Sequence, residues 1–377
     1  MLPPRASAQQ VDKIYVFGDS LSDVGNTYNA TLQLTGQGYP PPPYVDGRFS
    51  NGSVWVEYLG QQLGLTPTSY TTIPPGNASV PDGINYAFGG SGSGLSNVIL
   101  PQAPLPGVLA QVNLFTASVA ANPQLVDPEA LYIVWGGAND YLFGNVTDPQ
   151  VPVNNLSAAV SNLAAAGAKT IMVANLPDLG KVPGTRGNSE LSSQLSNLTS
   201  LHNSSLAQSL NALSQSLGSN VNIILLDVNT LFNTVTKYPG AFGFTNVTNA
   251  CLTSAGICAN PSQYLFWDDY HPTTAGHKVV QKLASFVLKV KTRNVQVNVP
   301  QDFLALEAQD SNDKIDLSCN LGRSCSNSSS AHQPVTKESM VSDRFGGKIT
   351  IVHLTPEMVA PQNTPAGTSH SRMPSTK

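Results

Sequence analysis

The sequence predicts an α/β fold with a parallel sheet covered by helices on both faces. Three observations carry that expectation. Five short apolar runs each end in turn-forming residues, as strands buried on both faces do. Segments of helical length and spacing alternate with those runs. The chain is 41% hydrophobic and 11% charged, enough apolar material for a core and too little charge for a wholly disordered chain.

In chain order, the strand candidates are Ile14–Phe17, Ile84–Phe88, Leu131–Trp135, Thr170–Ala174 and Val221–Leu226. They end at Gly18, at a glycine cluster, at Gly136-Gly137, at Asn175 with Pro177, and at Asp227. The helix candidates are Val108–Ala121, Val153–Ala166, Glu190–Leu217 and Thr273–Leu288, the last beginning after a proline. In a parallel sheet of this kind chemistry sits beyond the carboxyl ends of the strands, so the loops there are where functional residues are sought.

The first 295 of 377 residues hold 27 charged side chains and the last 82 hold 15, and Ser, Pro, Asn and Gln become frequent after the boundary. We read residues 1–12 as an N-terminal segment, 13–295 as the folded domain and 296–377 as an appended, largely disordered tail in which Gly347 to Leu354 forms a short strand. The net charge of −4 argues against a nucleic-acid or anionic-membrane partner. No run reaches the roughly 18 apolar residues of a transmembrane segment.

Four cysteines, Cys251, Cys258, Cys319 and Cys325, lack the CxxC spacing of zinc or thioredoxin motifs. They are either free thiols or, for Cys251 and Cys258, a disulfide, which an oxidising compartment favours. Ala6-Ser7-Ala8 matches a signal-peptidase site without the charged and apolar regions that precede one: either it is a signal-peptide remnant of a secreted, extracytoplasmic protein, or the match is chance. Nine N-x-S/T sequons, at Asn29, Asn51, Asn77, Asn145, Asn155, Asn197, Asn203, Asn246 and Asn327, point the same way.

Four loops carry residues suited to chemistry. After the first strand, Gly18-Asp19-Ser20-Leu21-Ser22 places Ser20 at a turn leading into a helix, where unpaired N–H groups suit either a nucleophile or an N-cap. Ser22 stands where the G-x-S-x-G elbow of α/β-hydrolases has glycine, which argues against that fold. After the second strand, Gly89-Gly90-Ser91-Gly92-Ser93-Gly94 fails the dinucleotide spacing and suits an oxyanion donor at Gly90 or Gly89. After the third, Asn139 in Gly137-Ala138-Asn139-Asp140 is either an oxyanion-binding amide or a turn residue. Last, Asp268 lies three residues before His271, a spacing that lets the carboxylate hold one ring nitrogen while the other faces a nucleophile. Metal ligation or packing against Trp267 are the other roles open to His271, and a metal needs more ligands than this stretch supplies. His202 remains apart, and His277 in the final helix suits capping or packing.

Together the stretches F-G-D-S-L-S-D-V-G-N at 17–26, Gly90, G-A-N-D at 137–140 and D-x-x-H at 268–271 resemble the four blocks of the GDSL, or SGNH, hydrolase family. G-R-F-S-N-G at 47–52 and F-W-D-x-x-H-P-T at 266–273 resemble its longer members, such as plant GDSL lipases, thermolabile-haemolysin-like lipases and fungal acetylesterases. The resemblance covers about residues 13–290 and leaves the tail out. It implies a three-layer α/β/α sandwich with a five-stranded parallel sheet in flavodoxin-like order. It also implies ester hydrolysis through an acyl-enzyme, with Ser20, Asp268 and His271 as triad and Ser20, Gly90 and Asn139 as oxyanion hole. No metal or cofactor is required, and the expected partner is a small-molecule or polymer-bound ester. An acetylesterase acting on carbohydrate, an acyltransferase using the same serine and a non-catalytic binding relative are the alternatives. Asp19, Asp23, Asn26, Asp140 and Asp269 are expected to shape loops, and Gly38-Tyr39-Pro40-Pro41-Pro42-Pro43-Tyr44 is a stiff surface segment that either walls the site or merely connects.

Overall fold

The computed structural model describes residues 11–74 and 80–291. Ala6-Ser7-Ala8, the sequons at Asn77 and Asn327, Cys319, Cys325, the 347–354 segment and the whole 296–377 tail lie outside the described residues.

A six-stranded, wholly parallel sheet forms the middle layer. Its strands are β1 (Ile14–Gly18), β2 (Thr68–Ser69), β3 (Ile84–Asn85), β4 (Leu131–Trp135), β5 (Thr170–Ala174) and β6 (Asn222–Leu226), in the order β2-β3-β1-β4-β5-β6. The five expected strands are all present in flavodoxin-like order. The sixth, β2, is a two-residue edge strand bonded to β3, too short to leave a periodic signal. β3 is shorter than Ile84–Phe88 because the Asn85 side chain accepts the Ala87 N–H and takes it out of any outer ladder.

Strict alternation along the strands splits the core in two. Ile14, Val16, Leu131, Ile133, Trp135, Met172, Ile224 and Leu226 face one side. There they meet α2 (Trp55–Leu63), α8 (Val228–Lys237) and α9 (Thr274–Lys291) through Trp55, Leu59, Leu231, Phe232, Val280 and Leu283. Tyr15, Phe17, Tyr132, Val134, Ile171, Val173, Ile223 and Leu225 face the other. They meet α3 (Val108–Ala121), α5 (Gln150–Ala165) and α7 (Ser189–Leu217) through Val112, Phe115, Leu156, Val160, Leu206 and Leu210. Each such fully buried side chain contributes about 1.5–3 kcal/mol of transfer free energy.

The other elements are α1 (Asn26–Thr35), the single-turn α4 (Ala138–Leu142), α6 (Pro183–Arg186) and the short strands β7 (Asn246–Ala250), β8 (Leu252–Thr253), β9 (Gly256–Ile257) and β10 (Tyr264–Phe266). The sequence reading missed α1, α2 and α8. The buried residues of α1 are Asn26, Thr27 and Thr31, so it has no apolar stripe to detect. α2 and α8 are only 9 and 10 residues long. Asp227, read above as the end of a strand, also caps α8 by accepting the Thr230 N–H. Cys251 and Cys258 form a disulfide across the β8–β9 hairpin region.

Candidate active site

Parallel register brings the ends of β3, β1 and β4 side by side: Val16 aligns with Asn85 and Gly18 with Trp135. The loops that leave those ends therefore start next to one another. The β1 loop does not run straight into a helix, contrary to expectation. Ser20 lies in a tight turn closed by the Asp19 carbonyl, which accepts the N–H groups of Ser22 and Asp23, and α1 starts only at Asn26. Any positive potential at Ser20 thus comes from that turn rather than from a helix terminus.

Buried polar side chains knit the three loops. Asp23 accepts the N–H groups of Gly25, Asn26, Thr27 and Gly89, joining the β1 loop to the β3 loop. Asn26 donates to the Asn85 and Ala87 carbonyls. Asn97 donates to the Gly89 carbonyl and accepts from Ile99 and Leu100. Gln111 on α3 clamps Gly18, accepting its N–H at 2.8 Å and donating to its carbonyl at 2.8 Å. Asp140 accepts the N–H and hydroxyl of Ser93. Sequence reading flagged Asp23, Asn26 and Asp140 as loop-shaping but missed Asn85, Asn97 and Gln111. A polar residue within the otherwise apolar face of α3 was the available signal for Gln111.

This network separates the two glycines. The Gly89 N–H is committed to Asp23 and Thr27, at 2.8 and 2.7 Å. The Gly90 N–H has no acceptor among the described residues, nor does that of Ser20. Neither glycine tolerates a side chain. A Cβ at Gly89 would lie 2.1 Å from the Phe49 ring, and Gly90 has φ 79° with Asn97 and Ile99 each 2.7 Å from a would-be Cβ. Asn139 donates one amide hydrogen to the Ser91 carbonyl at 3.0 Å, which leaves the second one available.

The fourth loop arrives from β10. His271 Nε2 is 2.9 Å from Ser20 Oγ, and Nδ1 is 2.7 Å from Asp268 Oδ2. Both ring nitrogens are thus engaged, and neither is left for a metal. Asp268 Oδ1 also accepts the N–H groups of Tyr270 and His271 at 2.8 and 2.7 Å, and Oδ2 accepts the Tyr44 hydroxyl at 2.6 Å. Burial pushes Asp268 up, but His271, Tyr44 and the Tyr270 N–H outweigh it and bring its pKa to about 2. Burial disfavours the charged imidazole, yet Asp268, with Asp19 adding to it, holds the His271 pKa above its ordinary value. Asp19 itself is pushed up to about 6 by burial, with the Leu21 N–H and His271 opposing.

The G-R-F-S-N-G stretch at 47–52 holds this loop in place. Phe49 packs on the His271 ring at 5.3 Å, the Ser50 hydroxyl donates to the Pro272 carbonyl, and Asn51 accepts the Thr274 N–H at the start of α9. Arg48 pairs with Glu57 through two bonds of 2.8 and 2.7 Å. His277 is buried in α9 and pushed down to about 3, chiefly by burial. His202 on α7, pushed down to about 4 by burial, meets the Tyr141 hydroxyl at 2.9 Å. Both therefore stay neutral. Among the described sequons, Asn145 and Asn197 are exposed, whereas Asn29, Asn51, Asn155, Asn203 and Asn246 spend their side chains on hydrogen bonds.

Residues 14–284 match the family described as GDSL-like lipase/acylhydrolase. The chain belongs to this family. Thermolabile hemolysin of Vibrio parahaemolyticus is 29% identical over 290 residues, covering 72% of this chain and 62% of that protein. A GDSL esterase/lipase of Arabidopsis thaliana is 29% identical over 314 residues, covering 74% and 94%. The phosphatidylcholine-sterol acyltransferase of Aeromonas hydrophila is 28% identical over 325 residues, covering 72% and 89%. The GDSL chain thus spans less than two thirds of the hemolysin's length. Among its described residues no helix is long and apolar enough to cross a membrane.

Proposed function

We propose that this protein hydrolyses carboxylic esters through an acyl-enzyme, with Ser20 as nucleophile, His271 as general base and acid, and Asp268 orienting His271. The observation that carries the reading is the continuous chain Ser20 Oγ–His271 Nε2, His271 Nδ1–Asp268 Oδ2, at 2.9 and 2.7 Å. Neutral His271 takes the Ser20 proton as Oγ attacks the ester carbonyl. The resulting oxyanion is met by the N–H groups of Ser20 and Gly90 and by the second amide hydrogen of Asn139. His271 then gives its proton to the departing alcohol, and the acyl-enzyme forms. Water, deprotonated by the same nitrogen, attacks that ester and releases the acid and Ser20. Asp268 fixes the tautomer with Nδ1 protonated and stabilises the imidazolium at each proton transfer.

The folded unit at 13–295 carries this activity. The protein works outside the cytoplasm, a reading supported by the Cys251–Cys258 disulfide, which a reducing compartment would not sustain. An acyl-enzyme also serves acyl transfer whenever an alcohol outcompetes water, and the similarity to an acyltransferase favours that as the second reading.

A chain-length series of nitrophenyl esters, run with acetylated xylan and a phospholipid, tests the activity and defines the acyl and alcohol parts. Adding an acceptor alcohol separates hydrolysis from transfer by the product formed. Absence of turnover on all of these, in folded protein, would overturn the proposal. A chain ending at Arg293 is expected to keep turnover and melting temperature.

A further inference from the structure

One feature of the site has no part in that mechanism. The Tyr44 hydroxyl donates to Asp268 Oδ2 at 2.6 Å, across 224 residues of sequence. It is the only side-chain donor to Asp268 besides His271 among the described residues. Oδ2 is also the carboxylate oxygen nearest His271 Nδ1, at 2.7 Å against 2.9 Å for Oδ1.

We propose that Tyr44 is a positioning residue for the acid–base pair: its hydroxyl fixes the Asp268 carboxylate in the plane that meets Nδ1 and disperses part of the charge that His271 faces. The stiff stretch Gly38–Tyr44 is therefore part of the working site. Its prolines at 40–43 fix φ and limit the freedom of the Tyr44 backbone. The Tyr44 ring is set edge-on against Trp267 at 6.3 Å and Phe49 at 6.4 Å, and Phe49 lies on the His271 ring. Tyr44 thus supports Asp268 directly by a hydrogen bond and packs on Phe49, which makes the ring contact to His271. Backbone N–H groups supply the remaining donors, and all of them go to Oδ1. Without Tyr44 the Oδ2 side would be held by His271 alone, while Oδ1 keeps its two backbone donors.

The sign of the electrostatic effect follows from the donor. A hydrogen bond to a carboxylate spreads its negative charge, so the imidazolium is stabilised less than by a bare carboxylate. Other groups facing the pair are Tyr39 from the same segment, Asp19 from the β1 loop, Asp269 and Tyr270 from the loop itself, and His277 from α9. None of these is altered by deleting one oxygen from Tyr44. Removing that oxygen therefore raises the His271 pKa further, and the acid limb of kcat/KM moves to higher pH.

The inference rests on the triad reading, and the test separates the two. Tyr44→Phe keeps the ring and removes the donor. Its kcat is expected to fall about tenfold with KM unchanged, and its acid limb to rise by about half a pH unit. A ring-fluorinated tyrosine at position 44 keeps the shape and donates more strongly, so its limb moves to lower pH. In an Asp268→Ala background the Tyr44→Phe change is expected to add no further loss, because its acceptor is gone. A Tyr44→Phe enzyme with the parent kcat and acid limb overturns the inference, and so does a loss of equal size in both backgrounds. Full activity in Asp268→Ala overturns instead the triad reading from which it starts.

Discussion

The two halves of the site are held by different means. The half that bears Ser20, Gly90 and Asn139 grows out of adjacent strand ends and is tied by buried polar side chains, Asp23, Asn97 and Gln111, bonded to backbone within the same neighbourhood. The half that bears Asp268 and His271 is a loop from β10, fastened by contacts reaching from the 39–51 segment. Preorganised donors must not move as charge develops, and a satisfied buried network gives that rigidity. A base that passes a proton in both directions needs only orientation, which a ring contact and a few hydrogen bonds provide. Breaking the first half should therefore cost stability and turnover together, and loosening the second should alter turnover and its pH dependence first.

The largest expected effect lies where the halves meet. Ser20→Ala should lower kcat by about a million-fold, as removal of a serine nucleophile does, and leave the circular dichroism spectrum unchanged. Retained turnover would show that the two halves do not share a reaction.

On the first half, Asn139→Ala should lower kcat by roughly 10²–10³ with little change in KM, because an amide in the proposed oxyanion role acts on charge present only in the transition state. The variant also frees the Ser91 carbonyl, so its melting temperature is to be measured alongside. Early melting with normal turnover would return Asn139 to the role of a turn residue.

The comparison sharpens with two asparagines that belong to neither the proposed triad nor the proposed oxyanion donors. Asn97 is 2% exposed and makes three bonds around Gly89 and the 97–100 turn. Asn51 makes one, to the N–H that opens α9. Asn97→Ala should cost about 2–3 kcal/mol and Asn51→Ala about 1 kcal/mol in denaturant unfolding. Equal costs would remove the distinction drawn between the halves.

The smallest effect is a matter of pH. Asp19 has its folded pKa raised to about 6, so its contribution to stability is full below the ordinary carboxylate range and is lost as pH rises through about 6. Asp19→Asn should raise the melting temperature at pH 8 and leave it nearly unchanged at pH 4. Because the Asp19 charge helps raise His271, the same variant should move the acid limb of kcat/KM to lower pH, opposite to Tyr44→Phe. A limb that stays in place would show that Asp19 does not act on the base.

Short-range pattern made much of this legible without a structure. Strands buried on both faces announce themselves as apolar runs, and Leu131–Trp135 and Thr170–Ala174 came out with their observed bounds. Val108–Ala121 did likewise. Asp268 and His271 are three residues apart, a spacing that the loop converts directly into a 2.7 Å contact. Elements stabilised by something other than apolar burial stayed hidden: α1 buries Asn26, Thr27 and Thr31, and β2 exists only because β3 offers an edge.

What the sequence by itself determined is the layered α/β framework and the residue types waiting at its strand ends, since both follow from periodicity and local spacing. Which partner each of those residues meets was decided by tertiary structure alone. Ser20 and His271 are 251 positions apart, and Tyr44 and Asp268 are 224. Gly89 and Gly90 are adjacent and chemically identical, yet among the described residues only Gly89 has its N–H taken, because Asp23 and Thr27 fold back against it. A hydrogen bond is directional and reaches about 3 Å, so its partner is set by where the chain returns in space, and no local pattern encodes that.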